Sequence, residues 1–249
     1  MKQNKRIVGV VGVGAFGEFM LKHLIPYFDV RLYDAHRDLT EIGKTYNAEI
    51  CTLDEVCESD IILLAVPVAH MAEAVEAIKD KLKKGQLVID LCSVKVVPAK
   101  ILADMIPQDV EILGMHPLFG PQSGKFGIHG MNLTLCDLGR CTRTKCVKEF
   151  LEKNLGLKVH ETTPEEHDRE MAYVQGLTHM IAKVYARMDV PAIHQKTKTY
   201  TLLEEMVEMI RYDSDELFLA IQRDNPFVGE TKELFFQAVK DLEEKLSKS

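Results

Sequence analysis

The amino-acid sequence predicts an α/β fold in which a doubly wound parallel sheet is followed by a region that contains only helices. Three observations predict it. Short apolar runs alternate with helical segments over the first two-thirds of the 249 residues, a glycine-rich turn follows the first run, and a purely helical pattern begins near residue 163. Such alternation is typical of parallel sheets that helices cover on both faces.

The apolar runs are rich in Val, Ile and Leu and have the length of buried strands. They lie at 7–11, 30–33, 61–66, 87–91, 110–114, 131–136 and 157–161. Helical segments are predicted near 15–25, 69–82 and 96–105. We expect these elements to form a first domain of the doubly wound type over residues 1–163.

The helical pattern starts at Thr163, Pro164 and Glu166, which have the spacing of a helix cap and first turn. Helices are predicted near 164–188, 198–211, 214–224 and 230–247. No flexible linker separates the two patterns. We therefore expect a second domain over residues 164–249 that packs directly against the first.

Composition restricts the class of partner. The formal charge is −7, with 46% hydrophobic and 28% charged residues. Nucleic-acid and membrane-surface binders usually need a basic face, so small-molecule partners are favoured. No apolar run approaches the ~20 residues of a membrane span, and the first residues lack the core of a signal peptide, which predicts a cytoplasmic protein. The six cysteines lack the spacing of a zinc or redox site, so no metal is predicted.

The glycine-rich turn reads GVGAFG and has GxGxxG spacing. In this Rossmann-type pattern the first glycine permits a tight turn, the second lets a pyrophosphate approach the backbone, and the third lets helix and strand pack closely. The helix that follows then offers free amides to the phosphates. We predict that a dinucleotide contacts the whole turn, which consists of Gly12, Val13, Gly14, Ala15, Phe16 and Gly17.

Asp34 ends the next predicted strand, close to the ~20-residue distance expected for the acid that binds an adenosine ribose. A carboxylate there repels the extra phosphate of NADP, so NAD is predicted. Arg37 leaves NADP possible, since it could bind that phosphate if Asp34 turned away. An aspartate that only caps a turn is the plainer alternative. Val66 and Pro67 follow the third strand, and we expect them at the nicotinamide end of the cofactor.

Two polar residues follow later strands at the edge where α/β sheets bind ligands. Ser93 lies in DLCSVK, where it could also cap the next helix, and His116 lies in the loop GMHPLFGPQSG. Prolines restrict that loop and glycines permit close approach, so we expect His116 to be held against a ligand. His179 is a further candidate because Gly176 lies in the same predicted helix. A glycine inside a helix destabilises it by about 1 kcal/mol relative to alanine, which indicates that some group approaches this face of the helix closely.

The motifs GVGAFG, DIILLAVPV, DLCSVK, GMHPLFGPQSG and VQGLTHMIAKV, in this order, resemble the prephenate and arogenate dehydrogenases of tyrosine biosynthesis. The segments HPLFGPQSGKFG and EEHDREMAYVQGLTH are most similar to the arogenate-type branch. The resemblance covers nearly the whole chain. It implies an NAD(P)-dependent oxidative decarboxylation of prephenate or arogenate to 4-hydroxyphenylpyruvate or tyrosine, and a homodimer formed through the helical domain.

The resemblance also implies roles for matching residues. His116 matches the catalytic histidine, which takes the proton of the ring hydroxyl as hydride leaves, and Ser93 matches a serine that shares that hydroxyl. An imidazole, whose ordinary pKa is ~6.5, suits this transfer. His179 matches a substrate-pocket histidine of the helical domain. The other predicted substrate-binding residues are Gln122, Ser123, Gln175 and Asp213. Asp213 matches an acidic position associated with a preference for arogenate, and a helix cap is an equally simple interpretation of it.

Two departures limit the match. Many bacterial members bind the ring carboxylate with an arginine where this chain has Met209, and many have an acidic residue at the position of Gln122. A dehydrogenase of the 3-hydroxyacid type, with Lys183 as the catalytic lysine, is one alternative, but it leaves the loop around His116 unexplained. A dinucleotide-binding sensor without catalysis is the other.

Overall fold

The computed structural model describes residues 5–248. The chain divides into two compact units, one ending at Pro164 and one beginning at Glu165. All strands of the described residues lie in the first unit, and the second is built from helices. The predicted fold class is confirmed. Within residues 5–248 no helix combines the length and the apolar character needed to cross a membrane, and the predicted cytoplasmic location stays a prediction.

One eight-stranded sheet forms the centre of the first unit. Its strands are β1 (Ile7–Val11), β2 (Asp29–Tyr33), β3 (Glu49–Ile50), β4 (Ile61–Leu64), β5 (Leu87–Asp90), β6 (Glu111–Pro117), β7 (Asn132–Asp137) and β8 (Lys158–Glu161). They lie in the order β3-β2-β1-β4-β5-β6-β7-β8. The strand order therefore reverses at β1 and β4, which is the kind of switch point where open α/β sheets bind ligands.

The last two strands differ from the prediction of a parallel sheet. β7 pairs antiparallel to β6, with Thr134 opposite His116, and β8 is parallel to β7. The connection over residues 118–131, all of them described, contains turns and no helix. A parallel return needs a crossover, which is usually a helix. Without one, the chain returns antiparallel directly beside β6.

Over residues 5–163 the sheet is accompanied by six α-helices: α1 (Ala15–Leu24), α2 (Thr40–Tyr46), α3 (Leu53–Val56), α4 (Met71–Ile78), α5 (Val96–Met105) and α6 (Thr144–Lys153). Helices α2, α3 and α6 were not predicted from the sequence. A capping box between Thr52 and Glu55 starts α3. In α6, Val147, Phe150 and Leu151 have helical spacing. Both signals were present in the sequence.

Burial fixes the strands of the first unit in place. All four residues of β5 are buried, as are the last three of β4. Strands buried in this way need cover on both faces. The main core cluster includes Val10, Leu32, Leu63, Ile89 and Leu113, one from each of the first five long strands. This packing holds the strand ends in register, and the candidate site is built on those ends.

The second unit contains α7 (Pro164–Met171), α8 (Thr178–Arg187), α9 (Lys198–Ile210), α10 (Asp215–Leu219) and α11 (Val228–Ser247). Two π-helical segments, Ala172–Leu177 and Ala220–Asp224, interrupt the predicted helices. The Gln222 side-chain amide in the second segment donates a hydrogen bond to the Gly176 carbonyl in the first, at 2.7 Å. Irregular helical turns of this kind are frequent at functional sites.

Gly176 is explained by packing within the second unit. A Cβ at this position would lie 2.7 Å from Cγ2 of Val228 in α11. The close approach to this glycine that the sequence predicts is present in the structure. The neighbour found here is a side chain of the same unit, so Gly176 by itself does not indicate a ligand.

Candidate active site

The three glycines of the GxGxxG turn have three different environments. Gly12 has φ of 88°, and a Cβ there would lie 2.8 Å from Cγ1 of Val66. A Cβ at Gly17 would lie 2.6 Å from the Gly12 carbonyl oxygen. At Gly14 a Cβ would meet nothing within 4 Å. Gly12 and Gly17 are thus fixed by the protein itself, and Gly14 leaves open space.

The open glycine lies where a phosphate would bind. Gly14 is the N-cap of α1, and both Gly14 and Ala15 are exposed. The first amides of a helix have no partner within the helix and carry its positive dipole end. Phe16, next in the helix, packs with Phe19 at a ring-centroid distance of 6.1 Å. The residues present therefore fit a dinucleotide whose pyrophosphate approaches Gly14.

Asp34 holds the glycine-rich turn against the end of β2. Its Oδ2 accepts a hydrogen bond from the Val13 amide at 2.8 Å, and its Oδ1 accepts from the amides of His36 and Arg37 at 2.9 Å each. Burial alone would raise the pKa of the Asp34 carboxyl, but these three amides outweigh it and lower that pKa below its ordinary value. Asp34 is therefore a fixed negative charge beside the turn.

The Arg37 side chain contacts the same turn that Asp34 contacts. Its Nη1 donates to the Val13 carbonyl at 2.6 Å, and its Nη2 donates to Oε2 of Glu18 at 2.8 Å. The guanidinium is thus paired with a carboxylate of α1. The structure brings Arg37 and Asp34 to the same part of the turn without the rearrangement that the sequence analysis considered.

A series of contacts leads from the glycine-rich turn across the sheet edge. Val66, which follows β4, lies against Gly12 as described above. The thiol of Cys92, which follows β5, donates to the Val66 carbonyl at 3.5 Å. Pro67, beside Val66, is exposed at this edge, and Ser93, beside Cys92, is half-buried. The ends of β1, β4 and β5 therefore meet, as the strand order requires.

The next strand in the sheet adds the histidine. β5 ends at Asp90, which pairs with Gly114 in β6. Ser93 lies in the connection that follows β5, and His116 lies two residues beyond Gly114 on β6, so both occupy the same edge of the sheet as the glycine-rich turn. His116 is 4% exposed. An imidazole shielded from bulk water in this way can act as a proton acceptor in a site from which solvent is excluded.

Lys95 is a buried charged residue at this edge of the sheet that was not predicted from the sequence. Its ammonium donates to Oδ1 of Asp90 at 2.5 Å and to the Met115 carbonyl at 2.9 Å. Both ionic side chains are completely buried. Burial raises the pKa of the Asp90 carboxyl, and the Lys95 ammonium opposes that rise. A lysine inside the apolar run SVKVV was the sequence signal for it, since buried charges are rare unless they are paired.

The loop after His116 packs on the helix that begins at the glycine-rich turn. The Phe119 ring lies 6.3 Å from the ring of Phe19 in α1, in an edge-on arrangement. A Cβ at Gly124 would lie 2.5 Å from Cζ of Phe19. One glycine of the loop is therefore required by close approach, as the sequence predicts, and what approaches it is α1.

Two further predicted residues lie at the tip of this loop. Ser123 Oγ accepts a hydrogen bond from the Gly120 amide at 3.0 Å, which closes a turn. Gln122 is exposed next to it. The hydroxyl of Ser123 thus has a structural contact within the loop, and a role for either residue in substrate binding stays a prediction.

In the second unit, three predicted substrate-binding residues form one cluster. His179 is 7% exposed. Its Nδ1 lies 2.9 Å from the Gln175 carbonyl and its Nε2 lies 3.0 Å from Oδ2 of Asp213. Both contacts place an oxygen atom beside a ring nitrogen, and each forms a hydrogen bond when that nitrogen carries a proton. The imidazole is thus held between a backbone carbonyl of its own helix and the Asp213 carboxylate.

Comparison with known proteins assigns the family. Residues 20–160 match the family model described as prephenate dehydrogenase, nucleotide-binding domain. The chain belongs to this family. The resemblance inferred from the sequence motifs is thereby confirmed.

Curated relatives of the family include plant enzymes. Arogenate dehydrogenase 1, chloroplastic, of Arabidopsis thaliana is 29% identical over 251 residues, which cover 96% of this chain and 39% of that protein. Arogenate dehydrogenase 2, chloroplastic, of the same plant is 27% identical over 248 residues, covering 96% of this chain and 69% of that protein. The chain thus spans well under half of one relative and about two-thirds of the other.

Solved structures of the family share the fold. The prephenate dehydrogenase of A. aeolicus in complex with hydroxyphenyl propionate and NAD+ has a TM-score of 0.76 at 19% identity, over 100% of this chain and 93% of that one. The arogenate dehydrogenase of Synechocystis has a TM-score of 0.72 at 18% identity, over 97% and 92% of the two chains. At such identities these likenesses concern the fold alone.

Proposed function

We propose that this chain oxidises and decarboxylates prephenate or arogenate with NAD, giving 4-hydroxyphenylpyruvate or tyrosine. The observation that carries the proposal is the series of contacts from Gly12 through Val66 and Cys92 to the sheet edge that holds His116. Because of it, a buried imidazole lies at the same edge as an open dinucleotide motif. Membership of the prephenate dehydrogenase family supports the same chemistry.

In the proposed reaction His116 accepts the proton of the ring hydroxyl, and Ser93 hydrogen-bonds the same oxygen to orient it. A bound NAD would supply the acceptor for the hydride that leaves the hydroxyl-bearing ring carbon. Loss of this proton and hydride leaves a ring carbonyl. The opposite ring carboxylate then departs as carbon dioxide, and its bonding electrons make the ring aromatic and its oxygen a phenolate. The proton held by His116 returns to that oxygen and gives the phenol.

We infer that NAD is preferred to NADP. The Asp34 carboxylate is ionised and fixed by three amides, so it would repel a ribose phosphate and accept hydrogen bonds from ribose hydroxyls. The Arg37 charge is already paired with Glu18. Asp34→Ser should therefore raise kcat/KM with NADP and lower it with NAD, measured by absorbance of the reduced cofactor. If kcat/KM with NADP did not rise in this variant, the inference would be contradicted.

We infer further that arogenate is the preferred substrate. Asp213 is 29% exposed in its side chain while it contacts His179, so its carboxylate can also accept a hydrogen bond from an ammonium group. Arogenate carries such a group and prephenate carries a keto group there. We keep Gln122, Ser123 and Gln175 as candidate contacts to the rest of the substrate.

The test is a comparison of turnover. Purified protein is incubated with prephenate or arogenate, each with NAD or NADP, and reduced cofactor is followed. The proposal predicts turnover with at least one of the two ring substrates. NAD binding without turnover would instead support a sensor, and turnover of linear 3-hydroxyacids alone would support the alternative dehydrogenase. Lys183, the lysine which that alternative needs, is paired with Asp215 at 2.8 Å.

We infer that the helical domain, residues 164–249, forms a homodimer. Large apolar side chains are exposed along α11, namely Leu234, Phe236, Val239, Leu242 and Leu246. The 13-residue helix α9 has no buried residue. Exposed apolar surface of this extent is typical of protein interfaces. Sedimentation should give a dimer, and Leu242→Glu should give a monomer; a monomeric wild-type protein would contradict the inference.

A further inference from the structure

The side chains of Lys95 and Asp90 form a buried ion pair, which is unusual because burial of charged groups costs free energy. Transfer of two ions out of water is expensive, and an apolar pair of similar volume often stabilises a protein as well or better. Both side chains here are completely buried. Stability alone therefore does not account for the pair, and what matters is which atoms its charged groups contact.

Lys95 contacts the strand that carries His116. β5 ends at Asp90, opposite Gly114, and Met115 lies one residue further along β6. The Lys95 ammonium donates to the Met115 carbonyl at 2.9 Å. That carbonyl belongs to the peptide group whose nitrogen is the backbone nitrogen of His116. The ammonium thus holds one side of the peptide that leads into the histidine.

Asp90 contacts the turn that carries Ser93. Its Oδ1 accepts a hydrogen bond from the Cys92 amide at 2.8 Å and also receives the Lys95 ammonium. Lys95 itself lies two residues beyond Ser93, at the N-cap of α5. The Ser93 turn is therefore held at both ends by members of the pair.

The neighbouring strand leaves room for the two charged side chains. A Cβ at Gly114 would lie 3.4 Å from Oδ2 of Asp90, 3.4 Å from Cδ of Lys95 and 3.2 Å from Cβ of Cys136. The separation from Cys136 is tighter than most Cβ contacts, and the two separations from the buried pair lie at the limit of ordinary van der Waals contact. Position 114 is therefore packed closely against the end of β5.

We propose that Lys95 and Asp90 are positioning residues that hold the Ser93 turn and the His116 peptide in one fixed arrangement. The inference rests on the proposed function, since Ser93 and His116 are its catalytic residues. Misplacement of a reacting group by about 1 Å can cost ~10²-fold in rate. The pair acts on kcat through geometry and makes no contact with substrate.

Three variants test the proposal. Lys95→Met removes the donor to Met115 and leaves Asp90 unpaired. Asp90→Asn keeps the donor to Met115 and an acceptor for the Cys92 amide. The double variant Lys95→Met/Asp90→Asn removes the unpaired charge but still lacks the donor. We expect kcat to fall ~30-fold or more in Lys95→Met and in the double variant, and less in Asp90→Asn. KM and the Kd for NAD should change less than ~3-fold in all three.

A matched control lies at the other end of the same strand. Glu111 starts β6, where it is paired with Arg143 at 3.3 Å and accepts hydrogen bonds from Thr142. Glu111→Gln should lower the thermal midpoint without lowering kcat. The double variant should regain stability relative to Lys95→Met without regaining kcat. A wild-type kcat in the double variant, or an equal loss of kcat in Glu111→Gln, would overturn the proposal.

A second measurement needs no substrate, so it separates this inference from the proposed function. Hydrogen exchange of the peptide covering residues 114–119 should be faster in Lys95→Met and in the double variant than in the wild-type protein. In Glu111→Gln the same peptide should exchange at the wild-type rate. Unchanged exchange in both Lys95 variants would overturn the positioning role even if the wild-type protein proved inactive toward both substrates.

Discussion

The two units hold their candidate functional groups in different ways. In the first, Asp34 is fixed by three backbone amides, and His116 lies on a buried strand next to a buried ion pair. In the second, His179 is held by one carbonyl and one partly exposed carboxylate. The contacts in the first unit are mostly to backbone amides or to completely buried side chains, whereas one of the two contacts of His179 is to a carboxylate that solvent reaches. We infer that the first unit determines reaction rate and the second determines which substrate binds.

The sharpest test of this division is the loss of the proposed proton acceptor. His116→Asn keeps a polar side chain of similar size but cannot accept a proton at neutral pH. We expect kcat to fall ~10²- to 10⁴-fold, the usual contribution of a general base. The Kd for NAD, measured by calorimetry, should stay within ~2-fold of the wild-type value, because His116 lies outside the glycine-rich turn. A variant with most of its activity would contradict the assignment.

The glycine-rich turn offers a matched pair of substitutions. Gly17→Ala should lower the free energy of unfolding by about 1–3 kcal/mol, because its Cβ would lie 2.6 Å from the Gly12 carbonyl. Gly14→Ala should change that free energy by less than about 0.5 kcal/mol, since a Cβ there meets no protein atom within 4 Å. Both should weaken NAD binding. Equal destabilisation in urea titrations would show that Gly14 is not an open position.

The helical unit should respond in KM and much less in kcat. Asp213→Asn removes the charge paired with His179, and a hydrogen bond to a charged group is worth about 1.5–3 kcal/mol. We expect KM for the preferred ring substrate to rise ~10-fold or more with kcat changed less than ~3-fold. Steady-state kinetics measures both. A fall in kcat that matches that of His116→Asn would end the proposed division between the units.

The smallest expected effect concerns stability as a function of pH. The amides around Asp34 lower its pKa below the ordinary value of 3.8, so the folded protein favours the charged form. The resulting stability is fully present above pH 3.8 and is lost as pH falls through the lower folded pKa. Asp34→Asn should therefore unfold at lower urea concentration than wild type at neutral pH, and the difference should narrow below pH 3.8. A constant difference would contradict this.

Much of the first unit could be predicted from sequence because its signals are local. The apolar runs and the GxGxxG spacing each lie within a few residues of chain. The antiparallel return of β7 and the contact of Lys95 with Met115 could not be predicted in this way. Both depend on which strand ends become neighbours, and a one-dimensional pattern contains that information only indirectly.

In the second unit, even more of the structure depends on contacts between residues that are distant in sequence. Helical spacing predicted where its helices lie, but not the π-helical segments at Ala172–Leu177 and Ala220–Asp224. His179 and Asp213 were both singled out, and yet their direct contact at 3.0 Å came only from the structure. The packing reason for Gly176 was equally hidden, because Val228 lies far away in sequence.

The most direct test of the central claim is the ratio of carbon dioxide released to NAD reduced. The wild-type protein is given prephenate or arogenate, and both products are measured in the same reaction. We predict one carbon dioxide for each reduced NAD, with both products lost in His116→Asn. Reduction of NAD without release of carbon dioxide, or no reduction with either substrate, would contradict it.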